Sequence, residues 1–364
     1  MLKAGLIGCG NISGIYLHNR KAFKSLEIVK CADLRPAAAE ARGKEFGIPA
    51  VSVEDLLADP EIDVVLNLTI PQAHTEVDLK ALNAGKHVYS EKPFALDMEA
   101  ANKVLALAAS KNLRVGCAPD TFLGGGHQTC RKLIDDGVIG RVVAGTAFML
   151  CHGHESWHPA PAFYYLNGGG PLFDMGPYYI TALVNLLGPV RRVVAVNTRS
   201  TDLRIGVKAN VGKTFPVEVD THVSAILEFA SGAVITLITS FDVWKHSDLR
   251  DIELHGTEGS LHVPDPNCFN GDIRFFKAGL SADWAPADNN FIYNDNMRCM
   301  GLADMAAGIE RNRPHRCSGA LASHVLDVMC SIIRAGKEGR AIDIAAQCER
   351  PAALPMGLAA GDLD

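Results

Sequence analysis

The sequence lacks the features that mark several large classes of protein. Its 364 residues carry no basic excess, since 35 Lys and Arg stand against 41 Asp and Glu, so no nucleic-acid partner is expected. No apolar run approaches the length needed to cross a bilayer, which excludes a membrane-spanning helix. The first residues enter a strand pattern without a basic, apolar and cleavable leader, and we therefore expect a cytoplasmic protein.

Paired cysteines are also missing. Ten cysteines are scattered along the chain, and no two of them form a C-x-x-C pair. Several lie inside apolar runs, where a reduced cysteine acts as a small hydrophobic side chain. The pattern therefore predicts neither a disulfide framework nor a bound metal.

The chain does have enough apolar residues, 48%, to build two separate cores. Residues 1–120 alternate short apolar strands with helical patterns, which predicts right-handed crossovers and a parallel, doubly wound sheet. The predicted strands are Ala4–Gly8, Glu27–Asp33, Val64–Leu68, His87–Ser90 and Arg114–Cys117.

Longer alternating segments separated by turn residues follow residue 120. They predict a second, α+β domain over residues 121–345, with an open and mainly antiparallel sheet that carries helices on one face. Residues 264–296 are rich in Pro, Asn, Asp and Gly and are predicted to form a long surface excursion. Residues 346–364 are expected to be a loosely held C-terminal tail.

The first predicted strand ends in a glycine turn that is typical of dinucleotide sites. Gly8 would make the tight turn, Gly10 would let the backbone approach a pyrophosphate, and Asn11 and Ile12 would lead into the next helix. The third glycine of the usual G-x-G-x-x-G pattern is replaced by Ser13, which is small enough for close packing. An ordinary glycine turn is the alternative explanation.

An acidic residue at the end of the second predicted strand strengthens the cofactor interpretation. Asp33 can accept hydrogen bonds from the adenosine ribose, and it would repel a 2′-phosphate, which favours NAD over NADP. Arg35 follows two residues later and could stack on adenine or hold that phosphate, so use of NADP stays open.

Polar residues follow the next two strands at the same edge of the sheet, where ligands bind in doubly wound folds. Thr69, Pro71 and His74 come after the third strand, and Glu91 and Lys92 come after the fourth. All five are predicted cofactor-binding residues. Lys92 is followed by a proline that can fix the direction of its side chain.

Together these residues resemble the Gfo/Idh/MocA oxidoreductase family over roughly residues 2–345. The resemblance rests on the glycine turn, Asp33, Pro71 with His74, Glu91–Pro93, and three glycines at 168–170 followed by Asp174. It implies a Rossmann domain with NAD(H) or NADP(H), a C-terminal domain whose sheet forms homodimers or homotetramers, and carbohydrate substrates. It also implies a cis bond between Lys92 and Pro93.

Three residues are candidates for catalysis: Lys92, Asp174 and Tyr178. Oxidation of an alcohol releases a hydride and a proton, and the proton needs a base. Many family members have a histidine where Tyr178 stands. A phenol has a reference pKa of ~10, so Tyr178 would need the positive charge of Lys92. Our hypothesis is a Lys92–Tyr178 proton relay with Asp174 orienting the sugar; Asp174 as the base is the alternative.

Two further segments are predicted to contact substrate. Asp120 and Thr121 lie at the junction of the domains, and His152, Trp157 and His158 precede the three glycines. The histidines, with His154 among them, could suggest zinc, but no Cys or Asp set accompanies them, so we favour a pocket with Trp157 as a platform for a sugar face.

Three functions are compatible with these patterns. The first is an NAD(P)-dependent dehydrogenase or reductase of a sugar, polyol or glycoside, acting on a secondary alcohol. The second is a glycoside hydrolase of the same fold that uses NAD for transient oxidation. The third is a non-catalytic cofactor-binding protein, which the presence of Lys92, Asp174 and a protic residue at 178 argues against.

Overall fold

The structure is a computed structural model that describes residues 1–158, 160–244, 247–249 and 251–364. It contains two compact units. The first consists of Met1–Gln128, Asn290–Leu326 and Pro351–Asp364, and the second of Thr129–Asn289 and Asp327–Arg350. This division differs from the predicted one at residues 120 and 345, because two later segments of the chain return to the first unit.

The elements up to residue 120 alternate as the sequence predicts. The strands are β1 (Leu2–Ile7), β2 (Leu26–Ala32), β3 (Val64–Asn67), β4 (His87–Ser90) and β5 (Val115–Cys117). The helices are α1 (Ser13–His18), α2 (Pro36–Phe46), α3 (Val53–Ala58), α4 (Pro71–Asn83) and α5 (Met98–Ser110).

The elements of the rest of the chain are mostly strands. The helices are α6 (Gly125–Asp135), α7 (Gly170–Leu187), α8 (Met300–Glu310) and α9 (Gly319–Glu338). The strands are β6 (Val142–Leu150), β7 (Val190–Thr198), β8 (Leu203–Ile205), β9 (Thr214–Pro216), β10 (His222–Phe229), β11 (Val234–Ser240), β12 (Ile252–Gly256), β13 (Gly259–Val263), β14 (Arg274–Lys277), β15 (Ala285–Pro286) and β16 (Ile342–Asp343).

The first unit is built on a five-stranded parallel sheet with the order β2-β1-β3-β4-β5. Strand β3 is buried along its whole length, as expected of a parallel strand covered on both faces. Local signals start the helices: the side chain of Asp97 accepts a hydrogen bond from the Ala100 N–H, and Pro71 is at the first turn of α4. The predicted parallel sheet is confirmed.

The second unit is built on a nine-stranded sheet with the order β15-β14-β13-β12-β6-β11-β10-β7-β16. Only the β6–β11 pair is parallel among its described pairings, so the predicted mainly antiparallel sheet is also confirmed. Helix α7 packs on β6, β10 and β11. The strands alternate buried and exposed side chains, as an open sheet requires.

The segment predicted to be a loose tail is instead packed in the first unit. Leu354 and Leu363 are buried. The buried guanidinium of Arg316 donates to the carbonyl oxygens of Ala352 and Ala353 and to the carboxylate of Asp364. Apolar anchors and a buried arginine therefore hold a segment that has no helix or strand to indicate order.

Candidate functional site

The turn after β1 has the shape that the two glycines predict. Gly8 has a φ of +103°, and a Cβ there would stand 2.6 Å from the carbonyl carbon and oxygen of Leu68. A Cβ on Gly10 would meet no heavy atom within 4 Å, so open space lies above this residue. Asn11 and Ile12 connect Gly10 to α1, and Ser13 donates its hydroxyl to the Gly10 carbonyl over 2.6 Å. Gly8 is thus required by packing, and Gly10 leaves room for a ligand.

The carboxylate of Asp33 is fixed against this turn. It accepts hydrogen bonds from the backbone N–H of Cys9 and of Arg35, both at 2.8 Å. The Arg35 side chain is exposed, with Nε 3.5 Å from the same carboxylate. Two backbone donors therefore hold the Asp33 carboxylate at the rim of the turn, where it can accept hydrogen bonds from ribose hydroxyls.

A cleft of about 510 Å³ lies over the turn and the carboxyl ends of β1, β2 and β3. Gly8, Gly10, Asp33 and Thr69 contribute its polar wall, and the exposed side chains of Leu34 and Ile70 contribute apolar surface. Open backbone at the turn, a fixed acid and apolar flanks fit the adenosine and pyrophosphate portions of a dinucleotide.

The predicted residues after β3 have different positions. Thr69 lines the cleft and donates its hydroxyl to Asn67 Oδ1 over 2.7 Å, and Pro71 begins α4. His74 is fully buried: its Nδ1 lies 2.8 Å from the Pro93 carbonyl oxygen and its Nε2 lies 3.1 Å from that of Thr69. His74 thus connects the loops that follow β3 and β4, and its contact with the cofactor stays a prediction.

The segment Glu91–Pro93 is held rigidly at the end of β4. Buried Glu91 accepts a hydrogen bond from the Tyr16 hydroxyl at 2.7 Å and another from the Lys92 N–H at 3.0 Å. Burial, with Glu91 adding to it, holds the pKa of Tyr16 well above its usual range, so this phenol stays a donor. The Lys92–Pro93 bond is cis, as the resemblance implied. The Lys92 backbone is therefore fixed at the ligand-binding edge of the sheet.

Asp120 and Thr121, predicted to contact substrate, are buried in the first unit. The Asp120 carboxylate accepts hydrogen bonds from the N–H of Cys299 at 3.1 Å and of Gly301 at 2.9 Å, at the start of α8. Burial raises the pKa of Asp120 to about 6. The Asp120 carboxylate thus satisfies free N–H donors at a helix start, and its contact with substrate stays a prediction.

In the second unit, Asp174 and Tyr178 lie one turn apart on α7, which places them on one side of the helix. The helix begins at Gly170, four residues before Asp174. Asp174 Oδ2 lies 2.8 Å from Nε2 of His154, and both side chains are only 12% exposed. A nearly buried carboxylate and imidazole therefore form a hydrogen-bonded pair, the His154–Asp174 pair.

The His154 ring is enclosed by aromatic side chains. The ring centroids of Tyr164, Phe241 and Trp157 lie 3.9, 5.0 and 5.1 Å from its own. Trp157 is itself 60% exposed, which suits the predicted platform for a sugar face. This aromatic surround fixes the ring plane and leaves a flat apolar surface beside the pair.

The two neighbouring histidines have other contacts. His152 stacks on Trp244 with ring centroids 3.6 Å apart, and His158 Nδ1 lies 3.1 Å from the Ala160 nitrogen. Burial lowers the pKa of both rings. The prediction named His152 and His158 and left out His154, which is the histidine that reaches Asp174.

Buried charges support the segment that carries His154. The guanidinium of Arg204 pairs with Glu155 at 3.4 Å and also with Asp242. The Asn210 amide donates to the carbonyl oxygens of Glu155 and His158, at 2.9 and 2.8 Å. These contacts define the path of residues 153–158 and so the position of the His154 ring.

Two classes of site are not found among the residues that the structure describes. No group of three or more His, Cys, Asp or Glu side chains there could hold a metal ion. Within the same ranges, no helix combines the length and the apolar character that crossing a membrane requires.

The parallel sheet, the glycine turn and the fixed acid define an NAD-binding Rossmann domain, followed by an α+β domain with its own polar cluster. Comparison with known families agrees with this class: residues 2–118 match the oxidoreductase family with an NAD-binding Rossmann fold, and residues 127–262 match the Gfo/Idh/MocA C-terminal domain. The chain belongs to the Gfo/Idh/MocA oxidoreductase family.

Similar proteins include oxidoreductases of sugars. An uncharacterized oxidoreductase of Schizosaccharomyces pombe is 31% identical over 205 residues, which cover 53% of this chain and only 54% of that protein. A 1,5-anhydro-D-fructose reductase of Ensifer adhaerens is 28% identical over 269 residues, 72% and 75% of the two chains. The structure of a levoglucosan dehydrogenase with NADH and L-sorbose superposes with a TM-score of 0.81 at 22% identity, over 95% and 99% of the chains.

The two turn glycines allow a matched test of the cofactor site. We expect Gly10→Ala to leave the stability of the cofactor-free protein unchanged, because its Cβ enters open space, and to weaken NAD binding by roughly tenfold or more, because the methyl group takes up room needed by the pyrophosphate. Gly8→Ala should instead destabilise the cofactor-free protein by about 1–3 kcal/mol, through strain at a positive φ and a backbone clash. Thermal unfolding and fluorescence titration measure both effects; unchanged NAD affinity in Gly10→Ala would contradict this account.

Proposed function

We propose that this protein is an NAD-dependent dehydrogenase or reductase that transfers a hydride between nicotinamide and a secondary alcohol of a sugar, polyol or glycoside. The observation that carries the proposal is the His154–Asp174 pair beside an exposed tryptophan, in a chain whose other unit binds NAD. Alcohol oxidation requires these parts: a hydride acceptor, a polar group for the proton, and a surface for the substrate. The reductase and dehydrogenase activities named for the relatives agree with it.

Each proposed catalytic side chain has a role that its chemistry suits. Bound NAD⁺ supplies the hydride acceptor. Lys92 stabilises the negative charge that develops on the substrate oxygen, and Tyr178 contributes a hydroxyl to proton transfer. Asp174 orients the sugar. Trp157 offers a flat face to the apolar side of a sugar ring, with His152 and His158 beside it.

Asp33 favours NAD over NADP in this proposal. Its carboxylate is fixed at the rim of the cleft. There it can accept hydrogen bonds from ribose hydroxyls, and it would repel a 2′-phosphate. Arg35 is exposed, and its Nε lies 3.5 Å from the carboxylate of Asp33. Titration of the purified protein with both cofactors tests the preference, and tighter binding of NADP would contradict it.

A substrate panel tests the proposed activity. Polyols, aldoses and glycosides are incubated with the protein and NAD⁺ or NADH, and the nicotinamide absorbance is followed. We expect a change with at least one secondary alcohol or its ketone. Release of an aglycone without net NADH would identify a glycoside hydrolase instead, and cofactor binding without turnover of any panel member would identify a non-catalytic protein.

We also propose that the open face of the nine-stranded sheet pairs with a second copy of this chain. Val194 and Val196 of β7, Ile226 of β10 and Val234 of β11 are all exposed there, and Val194 lies directly opposite Ile226. Adjacent exposed β-branched residues of this kind mark an interaction surface. We expect the double variant Val196→Glu with Ile226→Glu to be monomeric in sedimentation velocity, while Val211→Glu, exposed at a turn of the same unit, keeps the oligomer. A double variant that remains oligomeric would contradict the proposal.

A further inference from the structure

We propose that His154 is the proton acceptor of the reaction and that Asp174 holds it in the tautomer that this role needs. This inference rests on the proposed function and specifies its chemistry. In the oxidation direction, the substrate C–H bond breaks, and bound NAD⁺ would accept its electron pair as a hydride. The O–H bond breaks in the same step, the proton goes to Nδ1 of His154, and a C=O bond forms.

The hydrogen bond to Asp174 determines which ring nitrogen is the base. An ionised carboxylate only accepts, so His154 Nε2 donates its N–H to Asp174 Oδ2 over 2.8 Å. A neutral imidazole carries one proton, and its Nδ1 is then an acceptor. Among the described residues, Nδ1 of His154 has no hydrogen-bond partner. The acceptor nitrogen is therefore available to a substrate hydroxyl.

Asp174 also stabilises the product of the proton transfer. When Nδ1 takes a proton the ring becomes a cation, and a carboxylate 2.8 Å from Nε2 lowers the free energy of that cation. Both side chains are 12% exposed, so solvent screens this attraction only weakly. The pair thus combines a base with the group that orients it.

The surroundings keep the ring in this orientation. The Tyr164 ring contacts it edge-on with the ring centroids 3.9 Å apart, and the centroid of the Phe241 ring lies 5.0 Å from that of His154. The next residue, Glu155, is buried and paired with Arg204. A ring held on several sides loses little conformational freedom when substrate binds, and this favours reaction.

Charged and titratable groups around the ring come from several elements. They are Asp174 from α7, Tyr164 from the 3₁₀ helix Pro161–Tyr165, His158 and Glu155 from the same segment as His154, and Arg204 and Asp242 behind Glu155. Burial lowers the pKa of His158, so this ring is neutral at neutral pH and adds no competing positive charge. Asp174 is the charged group that contacts the His154 ring directly, whereas the charge of Glu155 is compensated by Arg204.

An imidazole is a better proton acceptor than a phenol at neutral pH. Tyr178 is one helical turn from Asp174, and its hydroxyl can hydrogen-bond the substrate.

His154→Gln tests the inference because glutamine can still donate a hydrogen bond to Asp174 but cannot accept the proton. Alcohol oxidation that uses a histidine base should decline as the pH falls, since a protonated imidazole cannot accept a proton. We expect His154→Gln to lower kcat by roughly 10²- to 10⁴-fold, to lose that decline, and to bind NAD as before. His255→Gln, a half-exposed histidine on β12, should keep both the rate and the pH profile.

The outcomes show whether His154 or Tyr178 is the base. A His154→Gln enzyme whose kcat falls by less than tenfold, or whose rate still declines at low pH, would overturn the inference. If Tyr178→Phe alone removed the decline, Tyr178 would be the base and the inference would equally fail. A loss of the decline in His154→Gln with its retention in Tyr178→Phe supports it.

A measurement without substrate separates failure of this inference from failure of the proposed function. In ¹⁵N-labelled protein, two-bond ¹H–¹⁵N correlations report which nitrogen of His154 carries the proton. We expect the Nε2–H tautomer, and we expect Asp174→Asn, whose amide can donate to Nε2, to reverse it. An Nδ1–H tautomer in the unaltered protein overturns the inference whatever the substrate panel gives. If His154 has the expected tautomer but no substrate of the panel is turned over, the assignment of the tautomer stands and only the proposed activity is refuted.

Discussion

Replacing Lys92 by methionine is expected to lower kcat for alcohol oxidation by roughly 10²- to 10³-fold. Methionine keeps much of the length of the side chain but removes the positive charge that, in the proposed mechanism, stabilises the developing alkoxide. Glu91 and the N–H of residue 92 should keep their hydrogen bond, because that contact involves only the backbone of this position. Stopped-flow absorbance measures the rate, and a fluorescence titration with NAD measures cofactor affinity separately, since Lys92 is also a predicted cofactor contact.

Two controls make the Lys92 result specific. Lys111→Met, at an exposed position after α5, should behave like the unaltered enzyme. Lys92→Arg keeps the charge but replaces a compact ammonium by a planar group, so part of the activity should return. Turnover by Lys92→Met within threefold of the unaltered enzyme would remove Lys92 from the mechanism.

Replacing Arg204 by leucine is expected to reduce the free energy of unfolding by about 3–5 kcal/mol. Arg204 is buried and pairs with both Glu155 and Asp242, so its loss leaves two acidic groups without their counter-charge in a poorly solvated region. Because Glu155 adjoins His154, the variant should also lose activity beyond what its stability explains. Chemical denaturation measures the first effect, and turnover below the unfolding transition measures the second.

Arg191→Leu is the matched control for Arg204. Arg191 forms an exposed ion pair with Glu228 at 2.7 Å, and pairs of this kind contribute at most about 1 kcal/mol. Equal losses of stability in the two variants would show that burial of the Arg204 cluster has no special effect.

The parallel sheet could be predicted because its signals are local. Short apolar strands, helical periodicity and the cap at Asp97 are all encoded within a few residues. The return of residues 290–326 and 351–364 to the first unit could not be predicted, since it depends on contacts between distant parts of the chain. The C-terminal segment is held by Arg316 and by apolar anchors that carry no periodic pattern.

The candidate site shows the same limit. The glycine turn and Asp33 were identifiable because their chemistry depends on spacing along one strand–turn–helix unit. Which of three close histidines reaches Asp174 depends on the path of an irregular segment, and that path is set by Arg204 and Asn210, far away in sequence. The start of α8, which binds the Asp120 carboxylate, follows Asp120 by 179 residues, so no local pattern in the sequence could indicate this hydrogen bond.

The most direct test of the central claim follows the transferred hydrogen itself. The protein is incubated with NAD⁺ and a substrate from the panel that carries deuterium at the carbon to be oxidised, and the reduced cofactor is analysed by mass spectrometry. Hydride transfer predicts that each reduced cofactor molecule gains one deuterium and that a ketone or lactone appears in equal amount. Reduced cofactor without deuterium, or a transformed substrate with no reduced cofactor, would contradict the account.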